Sequence, residues 1–169
     1  MAANTPRKKK NAKDLIRAAK LPVEKVKICT RPDLVDEYEE LNARAATARE
    51  NPTSISGSPE LPEWTARLDE LKDEIEDTTI EFTIRGLPRP QYTELAAKYP
   101  GREGNQKDIF AGGVNVDEIT EQLIKLGTID PILDEEDWQL LLAGVNTAGY
   151  AKLTLAAWAA NQKDVSAPF

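Results

Sequence analysis

The chain has 169 residues, and this length fits one domain with appendages. Hydrophobic residues make up 40%, charged residues make up 30%, and the formal net charge is −7, a balance typical of a soluble and helix-rich protein. Histidine is absent and there is one cysteine. These counts exclude Ser-His and Cys-His nucleophile pairs, zinc sites that need imidazole, and an internal disulfide.

The positive charge is concentrated at the start of the chain. Residues 1–27 contain nine Lys or Arg against two acidic residues, a net charge of +7, so the remainder carries −14. We interpret residues 1–22 as a basic, flexible and solvated arm; contact with nucleic acid or an acidic partner is the alternative. The basic start runs into a mixed segment and no apolar run is membrane-length, so neither a secretory signal nor a membrane span is predicted.

The first regular elements are predicted over residues 23–50. Residues 23–30 alternate between apolar and polar side chains, with Val26 and Ile28 on one side, which predicts a half-buried strand. Thr30 and Pro32 then indicate a helix start. The helix is predicted to run to about Arg49, because apolar residues repeat at spacings of four and three: Leu34, Tyr38, Leu41, Ala45 and Ala48.

A second helix and a second strand follow a loop-forming segment over residues 51–62. The helix carries an apolar stripe of Trp64, Leu68, Leu71 and Ile75, and the strand over residues 79–86 carries Ile80, Phe82 and Ile84 on one side. Two narrow stripes joined by a loop predict an antiparallel helical hairpin. The strands on either side of it are predicted to pair as an antiparallel ribbon.

Four helices are predicted after residue 87, starting near residues 90, 116, 135 and 147. Asn115 and Asp134 are the predicted N-caps of the second and third helices. The segment between residues 100 and 113 is predicted to be a long loop. The last helix, from about Thr147 to Gln162, is almost wholly apolar, so another surface must bury it. It is either the central rod of the bundle or the docking site of a partner.

The predicted fold is therefore mainly α with a small β element. A two-stranded antiparallel ribbon is extended by an antiparallel helical hairpin and packs on a C-terminal bundle of about four short helices. In terms of domains, residues 1–22 form the arm, residues 23–87 a strand-helix-helix-strand stalk, and residues 88–169 the helical bundle.

No catalytic, cofactor or metal site is predicted. The serines lie in loops or in the tail with no base beside them, and helix capping explains the carboxylates at the helix starts. The glycines form neither a Walker A loop nor a dinucleotide fingerprint. We therefore expect the protein not to be an enzyme.

The order of several segments resembles the tail assembly chaperones of long-tailed, siphovirus-like actinobacterial phages. The resemblance covers roughly residues 23–169, and these segments carry it: Val26-Lys-Ile-Cys29, Phe82-Thr-Ile-Arg-Gly-Leu-Pro88 with Tyr92 and Leu95, Asp-Glu-Glu-Asp-Trp138, Ala-Ala-Trp-Ala-Ala-Asn161 and Val165-Ser-Ala-Pro-Phe169. The basic arm has no counterpart in this pattern.

The resemblance implies a chaperone that binds the tape measure protein and keeps it soluble while the tail tube assembles. It implies further partners: the tail tube protein, a frameshifted longer form of the chain, and a second copy. It also implies action in the host bacterial cytoplasm and absence from the mature virion. The alternatives are a structural virion or scaffold subunit and, less favoured, a nucleic-acid-binding accessory protein that uses Arg7 to Lys27.

The candidate partner-binding residues follow from exposed apolarity and not from a motif. Trp158 lies among alanines on the terminal helix, and an aromatic anchor among small residues is typical of an interface. The first candidate surface is Leu155, Trp158, Ala159 and Phe169. The second comprises the hairpin faces at Leu41 and Leu71.

Overall fold

A computed structural model describes residues 11–50 and 59–163 of the chain. They form helix α1 Ala12–Arg17, strand β1 Val23–Cys29, helices α2 Pro32–Glu50 and α3 Leu61–Asp77, strand β2 Thr79–Arg85, helices α4 Arg89–Lys98, α5 Gln106–Phe110 and α6 Val116–Gly127, strand β3 Thr128–Asp130, and helices α7 Glu135–Gly144 and α8 Thr147–Gln162. The predicted fold class, mainly helical with a small β element, is confirmed. Within those ranges, no helix combines the length and the apolar character that a membrane span needs.

The sheet has three antiparallel strands in the order β1-β2-β3. The two long strands pair with Val26 opposite Phe82 and Ile28 opposite Ile80, so their apolar side chains share one face. The prediction of a two-stranded ribbon is wrong, because β3 adds a third strand beside β2. This strand has only three residues, which is too short for an alternating pattern to appear in the sequence.

The C-terminal region contains five helices in its described part, α4 to α8, instead of the predicted four. The additional helix is α5, which has five residues and lies where a loop was predicted. A helix this short has no apolar period of its own, so tertiary contacts must hold it.

One apolar core joins the sheet to the C-terminal helices. Phe82 and Ile84 of β2 have no exposed surface, and the ring centroid of Phe82 lies 6.2 Å from that of Trp138 on α7. Buried residues of α6 and α8 complete this core, namely Ile119, Leu123, Ile124, Leu153, Ala156 and Ala157. The small ribbon is thus covered by helices, as a marginal sheet requires.

Helix α8 lies against the end of strand β2 at very short range. A Cβ atom on Gly86 would lie 2.3 Å from the carbonyl oxygen of Ala160, so only glycine allows this approach. The backbone N–H of Leu87 donates to Oδ1 of Asn161 at 2.8 Å. Lys163 and Glu24 form an ion pair at 2.7 Å just beyond the helix. The last turn of α8 is therefore fixed to the sheet by packing and hydrogen bonding.

The two helices of the hairpin pack through the predicted stripes. Leu68 and Leu71 of α3 and Leu34 and Ala45 of α2 are buried, and the two helices contact each other. Arg67 of α3 forms an ion pair with Glu37 of α2 at 3.0 Å, which adds a polar contact between the two helices. The hairpin continues directly from β1 and into β2, so its base is attached to the core of the molecule.

Two leucines on different sides of α8 provide a test of how this helix packs. Leu153 has no exposed surface, whereas Leu155 is 70% exposed. We expect Leu153→Ala to lower the free energy of unfolding by about 2–5 kcal/mol, because it removes packed core atoms. Leu155→Ala, the matched control, should change it by less than about 0.5 kcal/mol. Chemical denaturation of both variants measures the difference, and equal losses would contradict the described orientation of α8.

Candidate protein-binding surfaces

The outer side of α8 carries a continuous apolar row. Ala148, Ala151, Leu155 and Ala159 are all exposed and lie at spacings of three and four, so they share one face of the helix. We call these four residues the outer row. Lys152 is the only charged residue in α8 and lies beside it. Two predicted partner-binding residues, Leu155 and Ala159, therefore belong to one accessible surface.

Trp158 has a different position from the one its sequence context suggests. Its side chain is half-buried and packs against the core. Its Nε1 donates to the hydroxyl of Thr120 on α6 at 3.0 Å, and this hydroxyl donates to the carbonyl oxygen of Val116 at 2.6 Å. Trp158 thus connects α8 to α6, and a substitution there affects stability as well as any binding.

The remaining predicted residues divide between accessible and inaccessible positions. Leu41 is half-buried and lines an open groove between α2 and α3, together with Trp64. Leu71 has no exposed surface, because it fills the contact between the two helices. A partner could reach Leu71 only if the hairpin opened. Phe169 lies outside the described residues.

The structure also exposes large apolar side chains that the sequence did not single out. Phe110 at the end of α5 is 86% exposed and the adjacent Ile109 is 56% exposed. Ile132 before α7 and Leu140 on α7 are 92% and 67% exposed. The sequence contained one signal for Ile109 and Phe110, because they form an apolar pair inside a predicted loop.

An ion pair between a buried carboxylate and a partly exposed arginine holds the segment that presents Phe110. The Asp108 side chain is 1% exposed and accepts from the guanidinium of Arg102 at 2.8 and 3.0 Å. It also accepts from the backbone N–H groups of Arg102 and Val116 at 2.9 and 3.2 Å. The pKa of Asp108 lies well below its usual range, mainly because the Arg102 side chain donates hydrogen bonds to the carboxylate.

Asp108 also replaces the predicted cap of α6. Asn115 occupies the N-cap position, as predicted, but its side chain makes no capping hydrogen bond. The buried Oδ1 of Asn115 has no hydrogen-bond partner within residues 11–50 and 59–163. The carboxylate of Asp108 instead accepts from Val116, the first residue of the helix. A negative charge at this end of a helix is favourable.

The other carboxylates at helix starts serve local structure. Asp134 and Asp137 form a reciprocal capping box at the start of α7, at 2.9 and 3.2 Å. Lys125 pairs with Glu121 and Glu135, both at 2.9 Å, and these contacts raise its pKa. Across the described part of the chain, no three His, Cys, Asp or Glu side chains converge as a metal site would require.

No protein-family model, curated protein or solved structure matches the chain. The interpretation of these surfaces therefore rests on their own residues. They are an apolar row on α8, an acidic groove on the hairpin, and an apolar projection at the end of α5.

The ion pair of Arg102 with the buried Asp108 gives a prediction about stability. We expect Asp108→Asn to lower the melting temperature by about 5–10 °C at neutral pH, because it leaves Arg102 and the start of α6 without their common partner. Asp117→Asn is the matched control: this exposed carboxylate contacts the same guanidinium at 2.8 Å and should contribute little. Thermal unfolding followed by circular dichroism measures both.

The pH dependence has a definite sign. Because the pKa of Asp108 is lower in the folded state, its contribution is complete above the ordinary carboxyl pKa of about 4 and is lost as the pH falls below it. The difference in melting temperature between the wild type and Asp108→Asn should therefore become smaller below pH of about 4. If this difference stayed constant down to pH of about 2, the charge of Asp108 would not be the source of its stabilisation.

Proposed function

We propose that the protein is a tail assembly chaperone of a long-tailed phage. In this role it binds the tape measure protein and keeps it soluble while tail tube subunits assemble, in the host cytoplasm, and it leaves before the virion is complete. The resemblance over residues 23–169 supports the assignment. The single observation that carries the binding role is the outer row of α8, an apolar surface without a partner in the described residues.

The outer row has the chemistry that captures an apolar helix. Alanines allow close approach of a second helix, and Leu155 offers one large side chain to insert between its residues. Helix-in-groove recognition uses anchors at the same spacings of three and four. The row lies on a helix that is fixed to the sheet through Gly86 and Asn161, so it is presented without a large loss of entropy on binding.

The charge of the chain suits the same role. Residues 28–169 carry a net charge of −14. A strongly charged surface opposes self-association while an apolar client is held. The same negative charge disfavours contact with a phosphate backbone, so a nucleic-acid role is left to the basic arm alone.

Co-expression with a candidate tape measure protein tests the proposal. We expect the tape measure protein to become soluble and to co-purify with the wild-type chain. Leu155→Asp should reduce the co-purified amount by about tenfold or more, because it places a charge in the apolar contact. The folded state should be retained, since Leu155 is 70% exposed.

Leu140→Asp is the matched control for this experiment. It introduces the same charge at a leucine of similar exposure, 67%, on another helix, and co-purification should be unchanged. Equal loss with both variants would contradict a role for the outer row. An insoluble tape measure protein, or retention of the chain in purified virions, would contradict the chaperone assignment and favour a structural subunit.

A further inference from the structure

Within the described residues, the helical hairpin contains an open groove of about 740 Å³. Its apolar lining includes Leu41 of α2 and Trp64 of α3, and both side chains are only half-buried. Two arginines, Arg44 and Arg67, and five carboxylates surround them, and the carboxylates belong to Glu37, Glu40, Glu60, Glu63 and Glu70. The groove thus has an apolar centre and an acidic rim.

The acidic rim is only partly neutralised within the hairpin. Arg67 pairs with Glu37 and Glu70, at 3.0 and 3.2 Å, and Arg44 pairs with Glu40. Glu60 and Glu63 are exposed and have no ion-pair partner among the residues that the structure describes. The surrounding field has the same sign, because α2 and α3 together contain thirteen acidic and four basic residues, a net charge of −9.

We propose that this groove binds a basic amphipathic helix of a partner protein. The apolar stripe of that helix would pack on Leu41 and Trp64, and its lysines or arginines would pair with Glu60 and Glu63. A third helix between two antiparallel helices is a regular packing arrangement. The lining residues span Glu37 to Arg44 on α2, so two to three turns of the partner, roughly 10–16 Å, fill the groove.

Charge decides between this occupant and others. A phosphate backbone or an acidic peptide would meet an excess of like charge in the groove, because five glutamates line it against two arginines. A purely apolar helix would leave the carboxylates of Glu60 and Glu63 beside a desolvated surface without compensation. A cationic amphipathic helix satisfies both the apolar centre and the acidic rim.

This inference goes beyond the proposed function, because the groove shares no residue with the outer row of α8. It can therefore hold or fail independently of the chaperone assignment. The test uses the purified full chain and a synthetic peptide of about four helical turns, with leucine at positions i, i+3, i+4 and i+7 and lysine elsewhere. Fluorescence anisotropy of the labelled peptide gives the dissociation constant.

We expect a dissociation constant on the order of 10 μM at low salt, weakening as salt is added. Glu60→Gln combined with Glu63→Gln should weaken binding about tenfold, because these exposed carboxylates supply the unpaired charge of the rim. Trp64→Ala should weaken it by a similar factor through lost apolar contact. Since Trp64 also contributes to the hairpin, Trp64→Phe should retain most of the binding.

The matched control removes the same amount of charge from the hairpin, at two exposed carboxylates that do not line the groove. Glu39→Gln combined with Asp73→Asn should change the dissociation constant by less than about twofold. Equal weakening in both double variants would show a general attraction and overturn the proposal. So would equal binding of a scrambled peptide of the same composition.

The chain's own basic segment is the other occupant to be tested. Residues 7–10 are Arg-Lys-Lys-Lys, and they can be changed together to glutamine in the full chain. Unchanged peptide binding in this variant supports the proposal of a partner. Binding that appears only in this variant would show that the chain fills its own groove, and would overturn it.

Discussion

The packing of α8 against the sheet is the constraint on which the rest of the molecule depends. A ribbon of two seven-residue strands and one three-residue strand cannot be stable with an uncovered apolar face. Leu153 and Ala157 belong to the core cluster that covers that face, and Gly86 allows the end of α8 to approach the strand. The hairpin is continuous with strands β1 and β2, so the packing of α8 on the sheet also determines where the hairpin lies.

The same packing explains why only part of the terminal helix is available to a partner. An apolar helix in a small core buries the side that faces the sheet and exposes the opposite side. Trp158 lies between these sides, and its side chain donates a hydrogen bond to Thr120 of α6. The outer row and the hairpin groove differ in chemistry, one being apolar and the other acidic with an apolar centre.

Sequence reasoning succeeded where a long periodic pattern determines the structure. The stripes of α2 and α3, the alternation around Val26 and Phe82, and the apolar run of α8 all repeat over several residues. It failed where tertiary contacts decide. Strand β3 and helix α5 are too short to have a period, and the capping of α6 by Asp108 is a contact between separate segments. The burial of Leu71 and the hydrogen bond of Trp158 likewise depend on a neighbouring helix.

The composition of the outer row bears on how long a contact there would last. Permanent subunit interfaces are large and more apolar than the rest of the surface. The row has one large side chain, Leu155, among three alanines, so a helix docked on it buries a limited apolar area at roughly 25 cal/mol per Å². Loss of translational and rotational freedom offsets part of that gain. A contact of this limited size suits the proposed chaperone, which must leave its client, better than a permanent scaffold subunit.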